Sequence, residues 1–179
     1  MADKKRVYWD ACSWLGLINQ EAAKVAACQY VMQQAESGKV EIWTSAFTLA
    51  EVFKKKCDDT VPAIGLPAAQ DVDFEDFLKK DFVIRVMVDD EVGTEARRLL
   101  RTHGGLIKPQ DAIHLATAVI NSLDELHTYD GTNLIKLNGL IKRRDGITLV
   151  IGPPVIPPPP EIENPPPSLF DAADPPEGV

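Results

Sequence analysis

Four acidic residues of the chain stand where predicted strands give way to loops or helices. Asp10 and Asp130 each come directly after a short apolar run that is typical of a buried strand. Glu51 lies about one turn into the helix after the second predicted strand, and Asp111 opens the helix before the strand that precedes Asp130. In parallel α/β sheets, ligands bind beyond the carboxyl ends of the strands. We therefore expect these four carboxylates to lie together at one edge of the sheet.

Four carboxylates in one cleft would repel one another and raise each other's pKa unless a cation lay among them. Mg²⁺ and Mn²⁺ are hard cations that prefer oxygen ligands, so either ion suits this set. Such an ion lowers the pKa of bound water and offsets charge on a leaving oxygen, as hydrolysis of a phosphodiester requires. We expect Asp10 and Asp111 to hold the principal ion. Glu51 would orient or deprotonate the attacking water, and Asp130 would complete this site or a second, substrate-assisted one.

Each of these acids also has a purely structural explanation. Asp10 could cap the helix that follows it, and Asp111 could be an acid favoured in the first turn of its helix. Glu51 could be a solvated helix residue, and Asp130 could form an ordinary turn with the following glycine. For each residue taken singly, the structural explanation is as good as the functional one. Taken together, the structural explanations do not account for four acids that are all expected at one edge of the sheet.

Apolar runs and helical spacing alternate along the chain, which predicts an α/β fold. The predicted strands cover residues 7–9, 40–44, 82–88, 126–129 and 148–151. The predicted helices cover residues 21–37, 48–56, 73–80, 90–102 and 110–122, with a further helix opening near residue 11 and a loop over 57–70. Strands that alternate with helices favour a parallel sheet covered on both faces.

The segment 153–179 differs in composition from the rest of the chain. It holds 11 of the 14 prolines and carries five acidic residues and no basic one. Proline has no N–H to donate and favours extended conformations, so we expect an extended or disordered tail. Leu169 and Phe170 could form a short docking point within it. Residues 1–152 are predicted to form a single domain.

Composition and charge limit the classes of function. The net charge of −8 is unfavourable for approaching a polyanion, but residues 1–152 carry 22 acidic against 19 basic residues, which weakens that objection. No apolar run reaches the ~20 residues of a membrane-spanning helix, and the first residues lack the layout of a signal peptide. Cys12, Cys28 and Cys57 are too widely spaced for a zinc site or a disulfide framework. We expect a cytoplasmic protein with reduced thiols.

Four strings, taken with their order, resemble the acidic blocks of PIN-domain nucleases: VYWDACSWLGLI, TSAFTLAEVFKK, KPQDAIHLATAV and HTYDGTNL. The resemblance covers about residues 6 to 151. It places the acidic positions of the family on Asp10, Glu51, Asp111 and Asp130, and Ser13 matches a position where the family often has a supporting Ser or Thr. It implies a flavodoxin-like, three-layer α/β/α sandwich with a mostly parallel central sheet. It also implies dependence on Mg²⁺ or Mn²⁺ and endoribonuclease activity.

Many bacterial members of this family are the toxin of a VapBC toxin–antitoxin pair, so the resemblance further implies an RNA substrate, an antitoxin partner and a homodimer. Two other functions stay open. One is a catalytically silent PIN-like interaction module, against which the presence of all four acids counts. The other is a carboxylate-rich metal hydrolase such as a phosphatase, although the D-x-D pattern expected there is absent at Asp10. His114 is interpreted as a structural residue beside the site.

Overall fold

The chain is described by a computed structural model over residues 4–53, 72–105 and 107–158. Within these ranges the strands are β1 (Lys5–Trp9), β2 (Val40–Ser45), β3 (Val83–Val86), β4 (Glu125–His127) and β5 (Val150–Gly152). The helices are α1 (Ala11–Ile18), α2 (Val25–Glu36), α3 (Ala46–Glu51), α4 (Val72–Leu78), α5 (Asp90–His103) and α6 (Pro109–Ile120). A short 3-10 helix covers Leu134–Leu137.

The strands form one sheet in the order β3-β2-β1-β4-β5, and every neighbouring pair is parallel. β1 lies at the centre, where Tyr8 pairs with Trp43 of β2 and with Leu126 of β4. Parallel strands need crossover connections, and the helices that make them lie on the faces of the sheet. The three-layer architecture with a parallel central sheet is therefore confirmed.

Alternate residues of β1 belong to different cores, because successive side chains of a strand point to opposite faces. Val7 and Trp9 pack with residues of α1, α2 and α4, whereas Tyr8 packs with residues of α5 and α6. All three side chains are buried. β1 thus joins the two cores, and Asp10 follows at its carboxyl end, between the two helical layers.

Most of the predicted elements are confirmed, with differences at their ends. The helix expected over 48–56 begins at Ala46 and ends at Glu51, because Val52 leaves the helical conformation with φ −85° and ψ 58°. Residues 54–56 of the expected helix lie outside the described residues. The strand expected to reach residue 129 ends at His127, so two residues separate it from Asp130. The helix expected from residue 21 begins at Val25. The predicted loop 57–70 and the segment 159–179, with its docking point, lie outside the described residues.

No helix in the described ranges has the length and apolar composition needed to cross a membrane. The thiols of Cys12 and Cys28 are free, and Cys57 lies outside the described residues.

Candidate active site

The charges of three of the predicted acids act on the thiol of Cys12, the second residue of α1. Burial raises the pKa of the Cys12 thiol to about 12, and the charges of Asp10, Asp130 and Glu51 add to the rise. The fourth acid, Asp111, lies one helical turn before a histidine that contacts Glu51. We call these four residues the acidic edge.

Asp10 is the buried member of the acidic edge, with 3% of its surface exposed. It caps α1: its Oδ1 accepts a hydrogen bond from the Ser13 N–H at 2.9 Å and lies 3.2 Å from the Ser13 hydroxyl. That hydroxyl also donates to the carbonyl of His127 at 2.9 Å, which ties α1 to β4. Burial raises the pKa of Asp10, while hydrogen bonds from Thr128 and Ser13 and the nearby His114 oppose the rise. The capping role is therefore observed, and Ser13 contacts the Asp10 carboxylate through its N–H and its hydroxyl.

Glu51 is the last residue of α3, and its side chain is 28% exposed. Its Oε2 lies 2.6 Å from Nε2 of His114, a buried residue of α6. Nδ1 of the same ring lies 2.8 Å from the hydroxyl of Tyr8. Glu51 is therefore held by a specific partner, which excludes the solvated helix residue considered from the sequence.

The hydroxyl of Tyr8 is surrounded by polar partners inside the core. It donates to Oγ of Ser45 at 2.8 Å and lies 3.1 Å from Oγ1 of Thr48. Ser45 caps α3 by accepting from the N–H of Thr48. Burial raises the pKa of Tyr8 well above its usual value, so the group stays a neutral hydroxyl. We call Tyr8, Ser45, Thr48, Glu51 and His114 the polar network.

Asp111 is half-buried near the start of α6, where Pro109 is the first helical residue. Its Oδ2 accepts a hydrogen bond from the N–H of Lys108 at 3.0 Å, as a carboxylate in the first turn of a helix commonly does. The structural role considered from the sequence is therefore observed. Residues three apart share a helix face, so Asp111 lies on the face of α6 that carries His114.

Asp130 forms a closed turn after β4. Its Oδ1 accepts from the N–H groups of Thr132 and Asn133 and from the Thr132 hydroxyl, and its Oδ2 accepts from the Asn133 amide. Burial would raise the pKa of Asp130, but these hydrogen bonds outweigh it and the pKa is lowered. The Oγ1 of Thr128 accepts from the Asp130 N–H and fixes the start of the turn. Asp130 is thus an ionised group held in one orientation.

The donor chemistry of the acidic edge fits a hard divalent cation, since all four groups are carboxylates. Asp10 is buried among hydroxyls, N–H groups and His114, so an ion beside it would offset the cost of burying its charge. As they are placed, no three His, Cys, Asp or Glu side chains of the described ranges stand close enough together to hold a metal ion. Asp111 and Asp130 instead bind groups of their own turns.

The polar network was not expected from the sequence. His114 was interpreted as structural, and the only available signal was its position three residues after Asp111, which places both on one face of α6. Tyr8 carried no signal at all, because a tyrosine in a buried strand usually reports packing. The side chain of Lys108 is exposed beside Asp111.

The PIN domain family model matches residues 7–138 of the chain, a span that contains the whole acidic edge. A comparison with curated proteins gave no match. Among solved structures, VapC20 from Mycobacterium tuberculosis, described as a sarcin–ricin loop cleaving toxin, matches with a TM-score of 0.53 and 17% identity, over 70% of this chain and 90% of its own.

Two further solved structures are similar over more of the chain. A toxin–antitoxin complex from Klebsiella pneumoniae matches with a TM-score of 0.52 and 18% identity, over 75% of this chain and 92% of its own. VapBC2 from Rickettsia felis, bound to a DNA fragment from its promoter, matches with a TM-score of 0.53 and 15% identity, over 82% of this chain and 96% of its own. At these identities the likeness shows a shared fold. Because the family model spans most of the chain, the chain belongs to the PIN domain family.

Proposed function

We propose that this chain is a divalent-metal-dependent endoribonuclease that hydrolyses RNA phosphodiester bonds at the acidic edge. The observation that carries the proposal is the buried carboxylate of Asp10 at the carboxyl end of the central strand, where the N–H of Ser13 holds it. PIN nucleases generally use divalent metals. The oxygen donors favour Mg²⁺ or Mn²⁺ as the cofactor.

The four acids have different proposed roles. Asp10, oriented by Ser13, and Asp111 hold the ion. When bound, the ion supplies Lewis acidity, which lowers the pKa of water and offsets charge on the leaving oxygen. Glu51, held by a histidine, would orient or deprotonate the attacking water, and Asp130 would complete this site or a second, substrate-assisted one. Attack by water leaves a 5′-phosphate and a 3′-hydroxyl, so products with a cyclic phosphate would contradict this mechanism.

A finer proposal concerns the biological role. We infer that the chain is the toxin of a VapBC-type toxin–antitoxin pair, with an antitoxin protein as its partner and a homodimer as its assembly. The support is the fold shared with the toxin–antitoxin complex from Klebsiella pneumoniae and with VapBC2 from Rickettsia felis. Free thiols at Cys12 and Cys28 fit a cytoplasmic protein, because the cytoplasm keeps thiols reduced.

The test is cleavage of an end-labelled structured RNA in the presence of Mg²⁺ or Mn²⁺. A sarcin–ricin loop hairpin is a suitable first substrate, because the Mycobacterium tuberculosis toxin is described as cleaving that loop. Asp10→Asn removes the buried charge and keeps the size of the side chain. The matched control is Asp81→Asn, the same change at an exposed residue just before β3, at the opposite edge of the sheet.

We expect cleavage by the wild type and by Asp81→Asn, with loss of cleavage in Asp10→Asn and in the presence of EDTA. Cleavage that survives EDTA, or that is equal in both variants, would refute the proposed site. A folded wild-type chain that neither cuts RNA nor binds Mn²⁺ would instead favour the catalytically silent interaction module.

A further inference from the structure

The polar network connects three elements that carry acids of the acidic edge. Tyr8 lies on β1, two residues before Asp10. His114 lies on α6, three residues after Asp111. Glu51 itself ends α3, and His114 bridges it to Tyr8 through contacts of 2.6 Å and 2.8 Å. One imidazole ring therefore links the strand and the two helices from which these acids project.

The network is built from buried groups, which makes its contacts costly to lose. Tyr8, Ser45 and Thr48 are fully buried, and His114 is 3% exposed. A buried polar group left without a partner destabilises the folded state, because it has lost its hydrogen bonds to water. Each ring nitrogen of His114 has one partner, so the orientation of the ring is determined on both sides. A carboxylate only accepts hydrogen bonds, so Nε2 donates to Glu51.

We propose that His114 is a positioning residue of the metal site, which holds the Glu51 carboxylate toward the acidic edge and is itself held by Tyr8. This inference rests on the proposed function. Among the described residues, the contact with His114 is the hydrogen bond that restrains the Glu51 side chain. Partners that orient metal-binding or metal-facing groups in this way commonly change metal affinity by about 10–100-fold when they are replaced.

A matched pair of substitutions separates this role from a general contribution to folding. In His114→Gln, the side-chain amide N–H can occupy the position of Nε2 and donate to Glu51, while the contact with Tyr8 is lost. In His114→Asn, the shorter amide can reach the position of Nδ1 and contact Tyr8, while the contact with Glu51 is lost. Both changes replace a ring by an amide, so a purely structural role predicts similar effects from both.

The readout is the dissociation constant for Mn²⁺, measured by isothermal titration calorimetry on the full chain, with the thermal midpoint of unfolding as a control for folding. We expect His114→Asn to weaken Mn²⁺ binding about tenfold or more and His114→Gln to stay within about threefold of the wild type. His127→Asn is the control. It deletes the same kind of contact, between Nε2 and Glu125, and we expect unchanged Mn²⁺ affinity.

Equal Mn²⁺ affinity in wild type and His114→Asn would overturn the inference, and so would an equal loss in His114→Asn and His114→Gln. If His114→Asn fails to fold, Tyr8→Phe provides the test, since it removes the partner of Nδ1 while keeping the contact with Glu51. We then expect the affinity for Mn²⁺ to fall about threefold. An unchanged affinity would overturn the inference. A wild-type chain that binds no Mn²⁺ would refute the proposed function instead, which distinguishes the two failures.

Discussion

Two histidine–glutamate pairs of similar geometry lie on opposite sides of the sheet. In one pair, Nε2 of His114 lies 2.6 Å from Glu51 and Nδ1 lies 2.8 Å from the Tyr8 hydroxyl. In the other, Nε2 of His127 lies 2.8 Å from Glu125, and Nδ1 accepts from the indole N–H of Trp9 at 3.0 Å. Both histidines are buried, and in both the second ring nitrogen meets an aromatic residue of β1.

The partner of the second ring nitrogen makes the two pairs different. The Trp9 indole can only donate, so Nδ1 of His127 must accept and its Nε2 must carry the proton that binds Glu125. The Tyr8 hydroxyl donates its own proton to Ser45 and can also accept, so Nδ1 of His114 is not required to accept. Nδ1 of His127 is therefore fixed as an acceptor, and Nδ1 of His114 is not.

The carboxylates differ as well. The hydrogen bond from His127, assisted by Lys5 and opposed by burial, lowers the pKa of Glu125 to about 2. Glu51 has no Lys or Arg partner within the described ranges, and its contact is with His114 alone among the hydrogen bonds and ion pairs of those residues. The negative charge of Glu125 is thus offset by a lysine as well as a histidine. The negative charge of Glu51 is offset less completely, because its partner is His114 alone among the described residues. An incompletely compensated carboxylate is the one that can interact with a cation.

The largest expected difference between the pairs is in catalysis. Glu51→Gln keeps an oxygen that can accept from His114 but removes the charge, and we expect RNA cleavage to fall about 100-fold, or roughly 2.7 kcal/mol in activation free energy. Glu125→Gln should leave the cleavage rate within about twofold of the wild type. Initial rates with Mn²⁺ measure both. Equal rates for the two variants would remove the functional distinction between the pairs.

The next largest effect concerns stability and its dependence on pH. Glu125 has a pKa lowered from 4.5 to about 2 in the folded chain, so its contribution is complete above pH 4.5 and is lost as the pH falls from 4.5 through about 2. At pH 7 we expect Glu125→Gln to lower the free energy of unfolding by about 2 kcal/mol. Urea unfolding at several pH values should show this deficit shrinking below pH 4.5. A deficit that is constant down to pH 3 would show that the charge of Glu125 is not its source.

The smallest effect distinguishes the two partners of Glu125. Lys5 is half exposed, and exposed ion pairs are worth about 0.2–1 kcal/mol. We expect Lys5→Met to lower the free energy of unfolding by about 0.5 kcal/mol, with a smaller loss in 1 M NaCl because salt screens exposed charges. Urea unfolding with and without the salt measures this. A loss as large as that of Glu125→Gln would make Lys5, rather than His127, the main partner.

The parts of the site that depend on local contacts were predictable from the sequence. The acid cap of α1 and its serine are three residues apart, and the contact of Asp111 with the N–H of Lys108 also spans three residues. The order of strands and helices was predictable for the same reason, since the spacing of apolar residues reports local geometry. The carboxyl end of β4 was predicted two residues too late. The N–H of Thr128 donates to the carbonyl of Gly152, and its hydroxyl accepts from the N–H of Asp130 in the following turn. The spacing of apolar residues does not reveal these contacts.

The long-range contacts of the site were not predictable in this way. His114 and Glu51 are 63 residues apart, and Tyr8 and His114 are 106 residues apart. Periodicity predicts which face of an element is buried, but it does not predict which polar side chains meet across two elements. That depends on the relative placement of β1, α3 and α6, which the fold alone determines. For the same reason, the sequence did not distinguish the His114 pair from the His127 pair.

The polar network also has an evolutionary consequence. Side chains in one buried hydrogen-bond network do not contribute independently, so a change at one position alters the cost of changes at the others. A substitution of His114 would leave Tyr8 facing an altered partner, and a second substitution at Tyr8 would restore the match between them. Among relatives that share this fold, we expect Tyr8 and His114 to vary together, although they are 106 residues apart in the chain.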